Sequence, residues 1–356
     1  MSQVNLHQFM TGAAEGDAIS GHATIIRQWL RDLGWNSQIY AHHIHPSVEE
    51  DVQHLSRYRR KRDEHWAIYH HSIGSDVPDF LAKQQLNLLL IYHNITPTTY
   101  FARSDPMRME LARKGRAQLL SLREQTGLAA ADSAYNELEL LEVGYENTAV
   151  LPLPLNQEKF DLPLNETLAA QLQQSGPRLL FVGRLAPNKK QEDLVKLLYY
   201  LRRLEPSAHL YLVGDRWEIG YDKWIEAMAA DFEIGAGLTL TGKLSQQDMV
   251  TYYKNSDLYV SMSEHEGFGL PLIESMYCSL PILAYGTTAV PYTMDDAGVQ
   301  FYKKDYEALA ELIQLLMRND ALRQRVVARQ HERVRSFLEP EVRAQFERLL
   351  RTVGLV

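Results

Sequence analysis

The stretch "DLYVSMSEHEGFGLPLIESM", residues 257–276, contains the patterns of a strand, a glycine-rich turn and a helix in direct succession. Pro271 suits the first turn of a helix, because the N–H that proline lacks would be unbonded there anyway. Gly267 and Gly269 allow the backbone to pass close to a ligand, and the N-terminus of the helix favours a bound anion. The stretch therefore predicts an anion site where a parallel strand ends and a helix begins.

Two carboxylates flank the proline. Glu266 lies in the turn, and Glu274 falls one turn into the helix. A carboxylate near the N-terminus of a helix often only compensates the helix dipole, and this explanation fits Glu274 alone as well as a functional one does. The combination of strand, glycines, proline and acids indicates function more strongly than either acid alone.

Short apolar runs alternate with helical patterns on both sides of this stretch, which predicts βα units and parallel sheets. Before it we expect strands at "RLLFVG", "HLYLVG" and "LTLTG", and after it at "PILAY". In the first half we expect strands at 4–9, 37–40, 66–70, 88–92 and 148–151. The fold class expected is α/β, with two Rossmann-like doubly wound domains facing a central cleft. The expected domains are 1–155 and 177–337, with a proline-rich linker at 156–176 and a helical tail after them.

Length and composition limit the class of protein. A chain of 356 residues suggests two domains, and 45% hydrophobic with 23% charged residues is typical of globular proteins. The net charge of −8 argues against a nucleic-acid partner. The single cysteine, Cys278, cannot form an internal disulfide. Its apolar sequence context favours a buried structural side chain over a nucleophile. No signal peptide or spanning segment is expected, so we predict a cytoplasmic protein.

A second candidate motif is "FVGRLAPNKKQEDLV", which also follows a strand. Arg184 with Lys189 or Lys190 could neutralise a diphosphate, or the turn could simply carry solvated surface cations. His93 ends an apolar strand in "LLLIYHNITPTTYF", where a histidine taken alone is more often structural than functional.

Other segments carry weaker signals. The turn in "GAAEGDAISGH" lacks the full dinucleotide-binding glycine spacing. "HHIH" at 42–45 and "YHH" at 69–71 lack ligand pairs four residues apart on a helix, so no metal site is expected. The basic runs "RYRRKRDEH" and "RKGRAQLLSLREQ" suit solvated helix faces, and they also allow contact with an anionic acceptor or peripheral contact with the inner face of a membrane.

The motifs "GRLAPNKK" and "SEHEGFGLPLIESM" together resemble glycosyltransferase family 4, a group of retaining, nucleotide-sugar-dependent enzymes with the GT-B fold. The spacing of Glu266 and Glu274, with seven residues between them, matches the signature of that family. The resemblance is strongest over about residues 178–300, and "GDAISGHATIIRQWL" and "YHNITP" extend it into the first domain. It implies that the helical tail, roughly 338–356, crosses back to the first domain.

The resemblance also implies residue roles. Glu274 would bind the ribose of the donor, and Arg184 with Lys189 would hold the diphosphate, with Lys190 as the substitute for Lys189. Glu266 would contact the transferred sugar, and His93 would reach that sugar from the other domain. Further residues implied at the donor are Gly267, Phe268, Gly269, Leu270, Gly242, Lys243, Leu244 and Gly214. The first-domain glycine loop, with Gly12, Gly16 and Asp17, would lie near phosphate and acceptor, although it departs from the family's commoner paired-glycine form.

The function expected is transfer of a hexose from a nucleotide diphosphate sugar to a saccharide or lipid-linked saccharide acceptor, in surface polysaccharide or lipopolysaccharide biosynthesis. Protein cations would neutralise the leaving group, so no metal or other cofactor is expected. Retention, by front-face attack or through a covalent intermediate, is implied by the resemblance alone. The alternatives are a retaining glycoside hydrolase, a nucleotide-sugar epimerase and a catalytically silent GT-B binding subunit. The base, the sugar, the acceptor and the oligomeric state are left open.

Overall fold

The chain folds into two units, and the first of them is formed by two separate segments of the sequence. A computed structural model describes residues 4–102, 105–216 and 220–356. The first unit contains the residues up to Pro154 together with Pro340–Val356, and the second unit is Leu155–Glu339. Each unit is built around one parallel sheet.

The strands and helices follow the expected alternation. The strands are β1 His7–Ala13, β2 Ile39–Ile44, β3 Val52–His54, β4 Trp66–His71, β5 Asn87–Tyr92, β6 Thr126–Ala131, β7 Thr148–Val150, β8 Arg178–Val182, β9 His209–Val213, β10 Leu238–Gly242, β11 Leu258–Ser261, β12 Ile282–Tyr285 and β13 Val299–Phe301. The α-helices are α1 Ala18–Asp32, α2 Val77–Gln84, α3 Pro106–Leu122, α4 Ala134–Glu142, α5 Glu166–Leu172, α6 Gln191–Leu204, α7 Tyr221–Asp231, α8 Gln246–Asn255, α9 Leu270–Tyr277, α10 Val290–Met294, α11 Tyr306–Arg318, α12 Asp320–Val334 and α13 Glu339–Thr352.

The sheet of the first unit has the strand order β3-β2-β1-β4-β5-β6-β7, with parallel pairing throughout. The five strands expected in this half are present, although β1 begins later than expected and runs on to Ala13. Sequence analysis missed β3, which has three residues, and β6, whose sequence "TGLAAA" contains few β-branched or aromatic side chains. The order of the strands reverses between β1 and β4, which is where doubly wound sheets bind ligands.

The sheet of the second unit has the order β10-β9-β8-β11-β12-β13 and is also parallel. The five strands expected here are confirmed, and β13 is an additional edge strand of three residues. The order reverses between β8 and β11, so their carboxyl ends form the topological switch point of this unit.

The segment 156–176, expected as a linker, is folded into the second unit. Phe160, Ala169 and Leu172 are buried. Asn165 caps α5, and its side-chain amide donates to Asp248 Oδ1 on α8 at 2.8 Å. The prolines that suggested a linker lie in irregular backbone that precedes this packed helix.

The last helix, α13, is part of the core of the first unit. Val342, Phe346 and Leu350 are fully buried in one apolar cluster with residues of β4, β5, β6 and α1. The Phe346 ring centroid lies 5.7 Å from that of Trp29, and Arg343 Nη1 donates to Asp32 Oδ2 at 2.7 Å. The C-terminal helix therefore contributes to the stability of the sheet formed by the first half of the chain.

Candidate functional site

The two motifs singled out in the sequence meet at the switch point of the second unit. "GRLAPNKK" follows β8, and "SEHEGFG" follows the neighbouring strand β11. Lys189 Nζ lies 2.6 Å from Glu266 Oε2, and both side chains are largely buried. Two segments about 77 positions apart in sequence therefore form one polar site.

Backbone bonds hold the two loops together. Glu264 N–H donates to the Asn188 carbonyl at 2.8 Å, and Asn188 Nδ2 donates to the His265 carbonyl at 3.1 Å. Glu266 N–H donates to Thr288 Oγ1 at 2.9 Å. Because these bonds fix the backbone at residues 264–266, the Glu266 carboxylate is held beside Lys189 by contacts within the protein.

Helix α9 begins directly after the glycine turn. Gly269 adopts a left-handed φ of 87°, and a Cβ there would lie 2.8 Å from Leu272 Cδ1, so glycine is required at this position. Pro271 lies in the first turn, and no side chain among the described residues caps it. The first turn therefore presents backbone N–H groups and the positive end of the helix dipole, an arrangement that binds anions.

Phe268 contributes to this turn through its backbone. Its side chain is buried and packs edge-on against Phe337, with ring centroids 5.8 Å apart, and its carbonyl accepts from Thr293 Oγ1. Gly267 and Leu270 on either side are partly exposed. Any ligand contact by residue 268 would thus involve its main chain rather than its ring.

Glu274 projects from α9 and is held by a residue that sequence analysis missed. Its Oε2 accepts from the hydroxyl of Tyr253, which is buried on α8, at 2.6 Å. Burial raises the pKa of the Glu274 carboxyl, and the Tyr253 bond and Lys159 offset part of that rise. Tyr253 lies 21 positions away in "TYYKNS", where nothing in the pattern distinguishes it from an ordinary core residue.

The cations of the first motif have different environments. Arg184 is exposed, and its carbonyl accepts from Gln191 Nε2 at 2.9 Å. Lys190 Nζ lies 3.4 Å from both Glu192 Oε1 and Glu264 Oε2. Burial alone would lower the pKa of Lys190, but these two carboxylates outweigh burial and raise it. The structure therefore pairs Lys189, rather than Lys190, with Glu266.

A further charge cluster borders the site. Lys304 Nζ lies 2.8 Å from Asp193 Oδ2 and 2.9 Å from Glu264 Oε1, and Asp193 also accepts from the Tyr306 hydroxyl at 2.8 Å. Burial alone would raise the pKa of Asp193, but the hydrogen bonds from Lys196, Lys304 and Tyr306 outweigh it and lower that pKa. Sequence analysis missed this cluster because Lys304 lies 111 positions from Asp193.

Four further residues expected at the donor lie one and two strands away from β8. Gly214, after β9, donates its N–H to the carbonyl of Gly242, the last residue of β10, at 3.2 Å. A Cβ on Gly214 would collide with the Gly183 carbonyl, so only glycine allows this close backbone approach. Lys243 is exposed and Leu244 is half-buried in the turn that follows.

In the first unit, His93 follows β5 and is buried. Its Nδ1 lies 2.9 Å from Asp132 Oδ2, and its Nε2 lies 2.9 Å from His70 Nδ1. Burial raises the pKa of Asp132, and His93 partly offsets that rise. Both ring nitrogens of His93 thus have partners within the unit. Asp132 was missed because it follows β6, a strand that was not expected.

The expected glycine loop of the first unit needs correction. Gly12 lies within β1 rather than in the turn after it. Gly16 does occupy the turn, with a left-handed φ of 80°. Asp17 is the N-cap of α1, and its Oδ2 accepts from the N–H and the hydroxyl of Ser20, both at 2.9 Å. Its carboxylate therefore caps a helix, a role that an aspartate before a helix commonly has.

Cys278 lies at the end of α9, where burial raises the pKa of its thiol to about 12. A thiol with so high a pKa carries almost no thiolate at neutral pH, which argues against a nucleophilic role. Within the described residues, no helix combines the length and apolar composition needed to cross a membrane.

Comparison with known proteins shows which sequences and structures this chain is similar to. Residues 166–333 match the family model described as "Glycosyl transferases group 1". The O-antigen chain mannosyltransferase B of Escherichia coli is 25% identical over 150 residues, which are 42% of this chain and 39% of that protein. This chain spans about half the length, or less, of the curated relatives that it matches.

Solved structures match over the whole chain. The sucrose-phosphate synthase of Thermosynechococcus elongatus superposes with a TM-score of 0.77 at 18% identity, covering 99% of both chains. The Anabaena protein Alr3699/HepE, solved with UDP and glucose, superposes with a TM-score of 0.76 at 14% identity, covering 98% of this chain and all of that one. The two sheets therefore have the GT-B fold, and most of the second unit is similar to the glycosyl transferases of group 1.

Proposed function

We propose that this chain is a retaining glycosyltransferase that moves a hexose from a nucleotide diphosphate sugar to a saccharide or lipid-linked saccharide acceptor. The observation that carries the proposal is the contact of 2.6 Å between Lys189 and Glu266 beside the N-terminus of α9. It combines a cation, a carboxylate and an anion-binding helix end at one switch point. These are the groups needed to hold a diphosphate together with the sugar attached to it.

The leaving group sets the chemical requirement. As the bond from the sugar to the phosphate breaks, negative charge grows on the diphosphate and positive charge grows on the sugar ring. Arg184, Lys189 and the N–H groups at the start of α9 would stabilise the diphosphate, and the Glu266 carboxylate would lie beside the sugar. Because fixed protein charges do this, the reaction that we propose needs no divalent metal.

Glu274 would bind the ribose of the donor. A carboxylate accepts hydrogen bonds from two neighbouring hydroxyls, and such charge-assisted bonds are stronger than those between neutral groups. The Tyr253 hydroxyl, 2.6 Å from Glu274 Oε2, would fix the orientation of the carboxylate before the donor arrives.

The acceptor side of the proposal is assigned to the first unit. Retention would follow front-face attack, in which the leaving phosphate takes the proton of the acceptor hydroxyl. The names of two similar proteins support the donor and acceptor classes: one is an O-antigen chain mannosyltransferase, and another was solved with UDP-glucose. We therefore propose that the reaction belongs to surface polysaccharide assembly.

A thermal-shift panel tests donor binding. The panel contains hexoses linked to UDP, GDP or ADP. We expect the hexoses linked to one of these three nucleotides to raise the melting temperature, because a ligand that binds only the folded state stabilises it. At a hundred times Kd the gain is about 2.7 kcal/mol, or roughly 5–10 °C for a unit of this size. Free hexoses and nucleosides serve as controls. The absence of a shift with every nucleotide sugar would contradict the proposal.

A further inference from the structure

Three buried histidines of the first unit converge from separate segments. His22 lies on α1, His70 on β4 and His93 after β5, and one ring nitrogen from each lies within 4.8 Å of the others. We propose that these three imidazoles bind one divalent metal ion of the Zn²⁺ class as a structural site, which would replace the sugar contact that the family resemblance implied for His93. This differs from the expectation of no metal, which considered only ligand pairs on one helix.

The outer partners of two rings determine which nitrogens carry lone pairs. Gln8 Nε2 donates to the Ala23 carbonyl at 2.9 Å, which orients Gln8 Oε1 toward His70 Nε2, 2.9 Å away. An amide oxygen only accepts, so His70 Nε2 carries a hydrogen and Nδ1 carries the lone pair. By the same argument, His93 Nδ1 donates to the Asp132 carboxylate, and its Nε2 carries the lone pair.

These two lone pairs point at each other. His70 Nδ1 and His93 Nε2 are 2.9 Å apart, and the two rings are nearly parallel, with an interplanar angle of 8°. Two acceptors at that distance repel each other unless a cation lies between them. The cation is either one shared proton or one metal ion.

The third ring favours the metal. His22 is fully buried, and neither of its ring nitrogens has a hydrogen-bond partner among the described residues. Its ring lies edge-on to those of His70 and His93, at centroid distances of 6.0 and 5.7 Å. A proton shared by His70 and His93 would leave His22 unsatisfied, which is costly in a buried position. A metal ion would accept the His22 lone pair.

The surroundings suit a metal site in a further way. Histidine ligands in proteins usually donate their other N–H to a carboxylate or a carbonyl, as His93 does to Asp132 and His70 does to Gln8.

Binding would require the side chains to adjust. Zn²⁺ binds imidazole nitrogen at about 2.0–2.1 Å, which places tetrahedral ligand atoms about 3.4 Å apart. The pair at 2.9 Å would widen by about 0.5 Å, and ligand atoms that lie up to 4.8 Å apart would approach each other by up to about 1.4 Å. The ion would then tie α1, β4 and the loop after β5 together at the carboxyl end of the sheet.

Metal content after reconstitution tests the proposal. Bound metal is removed from the full chain with a chelator, and the chain is then incubated with Zn²⁺ alone. Excess metal is removed by gel filtration, and the zinc content of the protein is measured by elemental mass spectrometry. We expect about one ion per chain in the wild type. The His22→Ala variant should retain almost none, whereas His43→Ala, which removes an exposed histidine of the same unit, should retain the full amount.

A second variant keeps the test decisive if His22→Ala does not fold. Asp132→Asn preserves the three ligands but weakens the partner of His93, so Zn²⁺ affinity should fall by about 10–100-fold. Circular dichroism checks the fold of each variant. A folded wild-type chain that retains no zinc would overturn the proposal in favour of a shared proton. Equal zinc in a folded His22→Ala variant would overturn it in favour of binding elsewhere. The readout is metal content, so it is unaffected if the proposed transfer activity fails.

Discussion

Replacing Lys189 by alanine should lower turnover by about 10²–10³-fold, equivalent to about 2.7–4 kcal/mol of transition-state stabilisation. The change removes the cation that lies 2.6 Å from Glu266 and that we assign to the diphosphate. Because leaving-group charge develops mainly in the transition state, kcat should fall much more than KM rises. Steady-state kinetics with the donor identified by thermal shift measures both quantities.

Two lysine variants are the controls. Lys190→Ala tests the neighbouring cation, which is paired with Glu192 and Glu264, and we expect a smaller loss than in Lys189→Ala. Lys303→Ala removes an exposed lysine of the same unit and should leave turnover unchanged. Unchanged turnover in Lys189→Ala would contradict the diphosphate assignment. A larger loss in Lys190→Ala would transfer the role to Lys190.

Replacing Glu274 by glutamine should weaken nucleotide binding by about 10–100-fold, because hydrogen bonds to a charged group contribute about 1.5–3 kcal/mol. The amide has nearly the same shape but only one acceptor oxygen, so it cannot accept from both ribose hydroxyls and the Tyr253 hydroxyl as the carboxylate can. Isothermal titration with the nucleoside diphosphate measures the affinity directly.

Glu311→Gln is the matched control, since it makes the same chemical change at an exposed carboxylate on α11. The affinity of the Glu311→Gln variant for the nucleoside diphosphate should equal that of the wild type. Tyr253→Phe should show a smaller loss than Glu274→Gln, because it removes only the residue that orients the carboxylate. An affinity in Glu274→Gln equal to that of Glu311→Gln would exclude Glu274 from the ribose site.

Local patterns predicted the sheet of the second unit well. The succession of strand, glycine turn, proline and helix at 257–276 is encoded within twenty neighbouring residues, and β11, the turn and α9 follow it closely. The N-capping role of Asp17 was also available from the sequence, because aspartate directly before a helix is a common cap. The glycines around it instead suggested a phosphate-binding loop.

The residues that support the site could not be predicted in the same way. Tyr253, Asp132 and Lys304 act through contacts with residues far away in the chain, and each occurs in a segment that suits an ordinary helix, loop or strand end. The histidine cluster has the same character, since its three rings come from three segments. The pairing of strands brings such residues together, and a sequence pattern within one segment does not show which distant residues will meet.

The most direct test of the account is the release of nucleoside diphosphate from the donor with and without saccharide acceptors. We predict release that depends on an acceptor and matches the glycosylated product mole for mole, with the anomeric configuration of the donor retained. Equal release without acceptor would indicate a hydrolase, and conversion of the sugar without release would indicate an epimerase. Donor binding with neither release of nucleoside diphosphate nor conversion of the sugar would indicate a silent binding subunit. Any of these three results would contradict the proposed transfer.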